Sequence, residues 1–378
     1  MPARPGEGPR IAHLIETDVL GGAERIIVHL AGALRDRGWT NVAILPGGHD
    51  GWLTRHLEPC GVTIEYYSLP RPFSPGFARD LARMLTRHRV EVAHSHEFTM
   101  AFYGAWAARR AHIPHVFTMH GGLYYSQRLR RRLALRVAAG LSDRVVAVSD
   151  AVAERLAHEL WLSRSRVTTI PNGVPFEPGA HPILRDELRL PPGTRLIVSV
   201  GTLFEVKGHR YLLAALARLR DRHPGAHVAI AGRGDSGPLR ALASALGVAD
   251  RVHLLGPRAD IPEVLASADL FALPSLSEGL PLALLEAMFA ARPIVASAVG
   301  EVPATLDQGR AGLLVPPGDP DALAAALGRL LDDPDRGRAL GEYAARRAAA
   351  EYGLERMVGA YAALYEAIIK PRRTRPPG

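Results

Sequence analysis

The chain has 378 residues, more than the ~250–300 at which a single core usually stops growing, so two domains are expected. Its 47% hydrophobic and 22% charged residues, with a mean hydropathy near zero, exclude a disordered chain. The single cysteine, Cys60, excludes a disulfide-stapled scaffold and fits a reducing compartment. The net charge of +8 is local: residues 1–185 carry 23 basic and 16 acidic side chains, and the remainder 23 and 22.

The opening MPARPGEGPR lacks the apolar core of a signal peptide, and no run reaches the ~18 apolar residues of a membrane span. A cytoplasmic protein is expected, either free or peripheral on the inner membrane face. Part of the basic excess gathers in Arg128, Arg130, Arg131, Arg132 and Arg136, a helical stretch that faces either anionic lipid or water. Nucleic acid is not an expected partner, because no aromatic-basic surface motif accompanies the charge. Only Lys207 and Lys370 are lysines among 46 basic residues, so a site that keeps one where arginine is the habit asks for a compact point charge.

In chain order, short apolar runs alternate with helical patterns: IAHLIE, then Ala23 to Arg37; NVAILP, then Gly51 to Cys60; VTIEYYSL, then Phe77 to Arg89. VEVAHSH, HVFTMH, RVVAVS and VTTIPNG continue the rhythm. Such alternation predicts parallel sheets covered on both faces. Pro175 to Gly193, with five prolines, reads as a linker. A second series follows: RLIVSVG, AHVAIAG, RVHLLG, LFALPS, PIVASA and GLLVP. The expected fold is therefore α/β, two doubly wound domains in tandem, helical after Pro334 to Ile369 and ending in a disordered basic tail over 371–378.

Ligands of open parallel sheets sit beyond the strands' carboxyl ends, so the loops there carry the candidates. Gly21 and Gly22 precede a helix start, either as turn chemistry or as a close backbone approach to phosphate. Lys207 and Gly208 open a helix where the dipole disfavours a cation, which hints at an anionic partner. Gly232, Gly234 and Gly237 spell G-x-G-x-x-G, but the next strand, RVHLLG, ends without the acidic residue that holds a ribose, so a hydride-transfer cofactor is not expected. In PSLSEGLPLALLE, Glu278 sits in a loop beside Gly279 and Glu286 lies eight residues later on a helix, where carboxylates can accept hydrogen bonds from sugar hydroxyls. His94 and His96 share one side of a strand, a geometry open to metal but without evident further ligands, so hydrogen bonding or packing is preferred. His120, at a strand end, is better placed for a substrate.

Together these segments resemble glycosyltransferase family 4: GGAE at Gly21, HSHE at His94, TMHG at Thr118, IPNGV at Ile170, VGTLFEVKGH at Val200, AGRGDSGP at Ala231, PSLSEGLPLALLEAM at Pro274 and GLLVPPGDP at Gly312. Glu278 and Glu286 fit that family's E-x7-E motif. The resemblance implies two Rossmann-like domains facing across a cleft (GT-B). They would span 1–180, rejoined by a C-terminal helix at about 352–370, and 181–351.

It further implies a retaining transfer of a hexose or N-acetylhexosamine from a nucleotide-diphosphate sugar to a saccharide or lipid-linked acceptor, with no cofactor and no required metal. Lys207 would bind the donor diphosphate, Glu286 the ribose and Glu278 the sugar. Backbone N–H groups near Gly279 and Leu280 would meet the phosphates, with Gly21, Gly22, Gly201, Thr202, Gly232, Arg258 and Pro281 completing donor binding. His120 would act in catalysis beside Lys207 and Glu278, and His94 and His96 would lie on the acceptor side. One departure stands out: Thr202 and Phe204 occupy positions where the family often has an arginine before the lysine. The rivals are an epimerase or hydrolase of the same fold and a noncatalytic sugar-nucleotide binder, which loss of Lys207, Glu278 or Glu286 would have favoured.

Overall fold

A computed structural model describes residues 8–48, 51–69, 74–121, 128–176 and 179–373. The chain divides into two compact units, one of Met1–Gly173 with Leu354–Gly378 and one of Val174–Gly353.

In the N-terminal unit, β1 (Arg10–Leu14), α1 (Gly22–Asp36), β2 (Thr40–Pro46), α2 (Trp52–Leu57) and β3 (Thr63–Tyr67) come first. Next are α3 (Pro75–Arg87), β4 (Val92–His96), α4 (Glu97–Ala111) and β5 (His115–Met119). The series closes with α5 (Leu129–Leu141), β6 (Arg144–Ala147), α6 (Asp150–Glu159) and β7 (Val167–Thr169). Every pairing is parallel, in the order β3-β2-β1-β4-β5-β6-β7. Helices cover both faces of the sheet, so β4 and β5 are buried at every position, His94, Ser95 and His96 included. Strand order reverses between β1 and β4, and the crevice at such a switch point is where this topology binds ligands.

In the second unit, α7 (Leu184–Glu187), β8 (Arg195–Val200), α8 (His209–Leu219), β9 (Ala226–Ala231), α9 (Gly237–Ala245), β10 (Val252–Gly256) and α10 (Ile261–Ala266) come first. They are followed by β11 (Leu270–Leu273), α11 (Leu282–Phe289), β12 (Ile294–Ser297), α12 (Val302–Thr305), β13 (Leu313–Val315), α13 (Pro320–Asp332) and α14 (Pro334–Glu351). The order β10-β9-β8-β11-β12-β13 is again parallel throughout and reverses between β8 and β11. Side-chain caps fix two helix starts, with Asp319 accepting from Asp321 N and Ala322 N, and Asp333 from Arg336 N.

The final helix, α15 (Leu354–Arg373), belongs to the N-terminal unit. It buries Tyr361 and Tyr365 almost completely. The Tyr361 hydroxyl lies 3.0 Å from Thr118 Oγ1, and Tyr365 lies 2.7 Å from His94 Nδ1.

Three sequence expectations shift. The units divide at 173/174 and 353/354, because Val174 N donates to Tyr352 O (3.1 Å) and Val174 bridges Gly353, so the chain's two passages run side by side. The proline-rich stretch is not a free linker beyond Gly179: Leu184 is fully buried, its amide reaches Ser267 Oγ at 3.0 Å, and Arg185 pairs with Asp269 at 2.6 Å. The terminal helix continues through Arg373, past the expected start of the tail; 374–378 lie outside the described residues.

Candidate functional site

The second unit gathers its candidates at its own switch point. Lys207 lies in the loop after β8 and Glu278 in the loop after β11, strands that are paired neighbours although 71 residues separate the two side chains. Lys207 Nζ donates to Glu278 Oε1 at 2.7 Å and to Oε2 at 2.9 Å. Ser275 Oγ donates to the same Oε1 at 2.7 Å. Glu278 is 6% exposed and Lys207 26%, so the pair is largely withdrawn from water and open on the lysine side.

Two glycines let these loops meet. Gly208 has φ +67°, and a Cβ there would stand 1.9 Å from Pro274 O. Gly300 has φ +52°, and its Cβ would fall 2.0 Å from Glu278 O. Leu276 N donates to Val206 O at 2.8 Å, tying the lysine loop to the glutamate loop directly.

Gly201, Thr202 and Gly232 occupy the adjoining loop ends. The Lys207 stem runs across Gly201, where a Cβ would lie 3.6 Å from Lys207 Cδ. Leu203 N donates to Arg233 O at 2.8 Å, placing the loop after β9 beside Thr202. Gly279, Leu280 and Pro281 lead into α11, whose N-cap, Pro281, offers no side-chain cap and whose first turn holds no acidic residue. That helix start therefore carries no carboxylate in its own first turn, which suits it to phosphate. Glu286 is half-buried further along α11.

Arg258 departs from the expected donor role. Its guanidinium is held by Glu187 (2.7 and 3.0 Å) and Asp260 (2.8 and 2.6 Å). Asp260 and Glu187 raise its pKa, and the guanidinium in turn lowers that of Asp260. To meet a phosphate it must release a carboxylate, so here it clasps α7 to the start of α10. Ser275 and His209 went unremarked in the sequence. His209 opens α8, 4% exposed, with Nε2 3.2 Å from Thr202 O, and burial lowers its pKa to about 4. A neutral imidazole at that position leaves Lys207 as the cation of the loop.

In the N-terminal unit, β1 and β4 bring His13 beside His94 and His96, with ring centroids 5.9 and 5.8 Å from His13, and His120 follows β5. His96 Nδ1 lies 2.9 Å from His120 Nε2, and the His120 amide donates to Glu97 Oε1 at 3.3 Å. Glu97 holds φ +65° at the strand-to-helix corner, a strained conformation of the kind that clusters at functional edges. Burial draws His13 and His120 down to about pKa 4 and His94 and His96 well below the usual range, so all four are neutral near pH 7.

His94 and His96 are fully enclosed, which removes them from contact with an acceptor; His120 keeps part of its surface exposed. Ligand atoms of His13, His94 and His96 do lie within 4.8 Å of one another. Both ring nitrogens of His94 are nevertheless engaged, Nε2 with Thr118 at 2.8 Å and Nδ1 with Tyr365 at 2.7 Å. The cluster is thus a packed neutral stack, and holding a metal would mean breaking those bonds.

Gly21 and Gly22 start α1, but Glu24 fills that helix end. Its carboxylate accepts from Thr17 Oγ1 and covers Gly21, where a Cβ would lie 2.3 Å from Glu24 Oε2. The dipole there is already met by a carboxylate, unlike the one at α11.

Comparison with known proteins accords with both sheets and their loops. Residues 20–177 match the model for Glycosyltransferase Family 4, and residues 194–333 that for Glycosyl transferases group 1. The chain belongs to glycosyltransferase family 4. It is 31% identical to a D-inositol 3-phosphate glycosyltransferase of Thermobispora bispora over 87% of this chain and 84% of that protein. It is 34% identical to a relative of the same name in Corynebacterium jeikeium, over 58% of this chain and 56% of that one. A solved glycosyltransferase from Rickettsia africae ESF-5 superposes with a TM-score of 0.83 at 20% identity, covering 96% of this chain and 99% of the other. Anabaena Alr3699/HepE in complex with UDP and glucose gives 0.84 at 24% identity, over 95% and 100%. These likenesses identify the fold as that of GT-B glycosyltransferases.

Proposed function

We propose that the protein transfers a hexose or N-acetylhexosamine, with retention at the anomeric carbon, from a nucleotide-diphosphate sugar to a saccharide or lipid-linked acceptor in the synthesis of a cell-surface polysaccharide or glycolipid. The observation that carries this reading is the Lys207–Glu278 pair at the β8/β11 switch point, beside the uncapped start of α11. As the bond from sugar to phosphate breaks, negative charge grows on the diphosphate. Lys207, the backbone amides of Gly279 and Leu280, and the start of α11 stabilise that charge without reorganising. Glu278, held by Ser275, accepts hydrogen bonds from the sugar hydroxyls, and Glu286 from the ribose.

The donor thus meets Lys207 and Glu278 as an already formed pair: its phosphates draw on the ammonium and its hydroxyls on the carboxylate. Retention then follows front-face attack, the leaving phosphate taking the acceptor proton, so a second glycosidase-type carboxylate is not needed. In the N-terminal unit His120 is neutral, part-exposed and positioned by His96 and Glu97, which suits it to hydrogen-bond a sugar hydroxyl. Relatives named D-inositol 3-phosphate glycosyltransferase and Anabaena HepE with UDP and glucose support a nucleotide-sugar donor and a hydroxylated acceptor. The test is transfer of radiolabelled sugar from UDP-, GDP- and ADP-sugars to membrane lipid extract or oligosaccharides, with the product's anomeric configuration read by NMR. Retained configuration and dependence on Lys207 support the reading; an inverted product, or free sugar alone, contradicts it.

A further inference from the structure

The outer face of α5 has no cover among the described residues. Leu129, Leu133 and Val137, each four residues after the last, form one stripe that is 60%, 48% and 49% exposed. The opposite face, Leu135, Ala138 and Ala139, supplies the packing, so the stripe is not needed for the core. Beside it Trp161 is 51% exposed, and Arg132 stacks over its ring at 4.4 Å. Neighbouring α4 exposes Trp106.

The charge of this face is of one sign. No acidic residue occurs from Arg128 to Leu141, and Arg128 and Arg130 flank Leu129 in the open. Among the described residues, none of Arg128, Arg130, Arg131, Arg132 and Arg136 pairs with a carboxylate. Arg132 and Arg136 instead donate to the carbonyls of Glu159, Leu160 and Trp161. A helix that starts with three arginines, no acidic residue in its first turn and no side-chain cap opposes its own dipole. An external anionic surface would relieve that opposition.

We infer that this face, the Leu129–Leu133–Val137 stripe with Trp161 and the arginines around it, docks the protein on an anionic lipid bilayer. Apolar side chains enter the headgroup boundary while arginines meet phosphates, the arrangement of an interfacial amphipathic helix. α5 follows β5, so its first turn lies at the carboxyl edge of the sheet, where His120 ends the strand. The inference deepens the transferase reading by naming the surface on which a lipid-linked acceptor is met. Binding is measured without donor, so its failure is distinguishable from failure of transfer.

The experiment is co-sedimentation of the full chain with phosphatidylcholine vesicles and with an equal mixture of phosphatidylcholine and phosphatidylglycerol, at low and high salt. The expected result is partition onto the mixed vesicles only, weakened by salt. Each arginine at an anionic surface contributes about fivefold, so Arg128→Glu with Arg130→Glu lowers partition by at least about tenfold. Leu129→Ser with Leu133→Ser and Val137→Ser abolishes it, while circular dichroism and donor binding stay as in the wild type. Equal partition on both vesicles, none on either, or unchanged partition of folded variants overturns the inference. So does a dimer in solution that the triple serine variant disperses, since the face would then be covered by a second copy.

Discussion

Replacing Lys207 by methionine keeps the stem that crosses Gly201 and removes only the ammonium. Glu278, 6% exposed, then retains Ser275 and loses two charge-assisted bonds of 2.7 and 2.9 Å. Stranding a carboxylate this way costs about 1–3 kcal/mol, and water entering on the lysine side holds the cost to the lower part of that range. The catalytic effect is larger and separate: loss of one preorganised group facing the leaving charge lowers kcat by about 10²–10³. A cycle with Glu278→Gln separates the two roles. In the double variant stability returns toward wild type, because neither charge is left buried alone, while transfer stays at the floor. The assay pairs thermal unfolding with initial rates of transfer at saturating donor. Wild-type kcat in a folded Lys207→Met variant, or activity that returns in the double variant, refutes the reasoning and leaves the pair a structural clamp.

Other perturbations test neighbouring parts. Gly208→Ala forces a Cβ against Pro274 O at φ +67°, so stability falls by more than about 1 kcal/mol and activity drops with it; an unchanged melting temperature would show that the loops do not need this approach. Tyr365→Phe leaves a buried nitrogen of His94 without its 2.7 Å partner and destabilises the N-terminal unit by about 1–3 kcal/mol, read by hydrogen exchange in β4 and β5. Arg258→Ala lowers the melting temperature through loss of Glu187 and Asp260, yet leaves donor affinity within about threefold; a larger loss of affinity would return Arg258 to the donor set.

His13 titrates near 4 when folded and near 6.5 when unfolded. Between those values the unfolded chain binds more protons. Stability is therefore whole above pH 6.5 and falls as pH drops toward 4, by roughly 3 kcal/mol for this residue. His13→Gln flattens that part of the unfolding profile, and an unaltered slope would contradict the assignment.

Both sheets were legible because doubly buried parallel strands must be apolar runs: IAHLIE, VEVAHSH and LFALPS each mark a strand that the fold contains. Lys207 and Glu278 could be picked out because loops after such strands converge, and the structure pairs the two side chains. What escaped the sequence depended on partners that only strand order creates. His13 meets His94 and His96 because β1 pairs β4 across more than two intervening elements, and Tyr365 reaches His94 from α15, 271 residues on. The clasp of Arg258 on Glu187 could not be read, because the two lie 71 residues apart. Glu24 was visible in GGAE, but that it folds back over Gly21 to satisfy its own helix start follows from three-dimensional placement.

The most direct test of the account is thermal unfolding of wild type, Lys207→Met and Glu286→Ala against UDP-, GDP- and ADP-sugars. A donor at about 100 times its Kd adds about 2.7 kcal/mol, a rise of roughly 5–10 °C for domains of this size. The account predicts that rise with one class of nucleotide sugar in the wild type and its collapse in both variants. A nucleotide sugar that stabilises all three proteins alike, or none that stabilises the wild type, would contradict it.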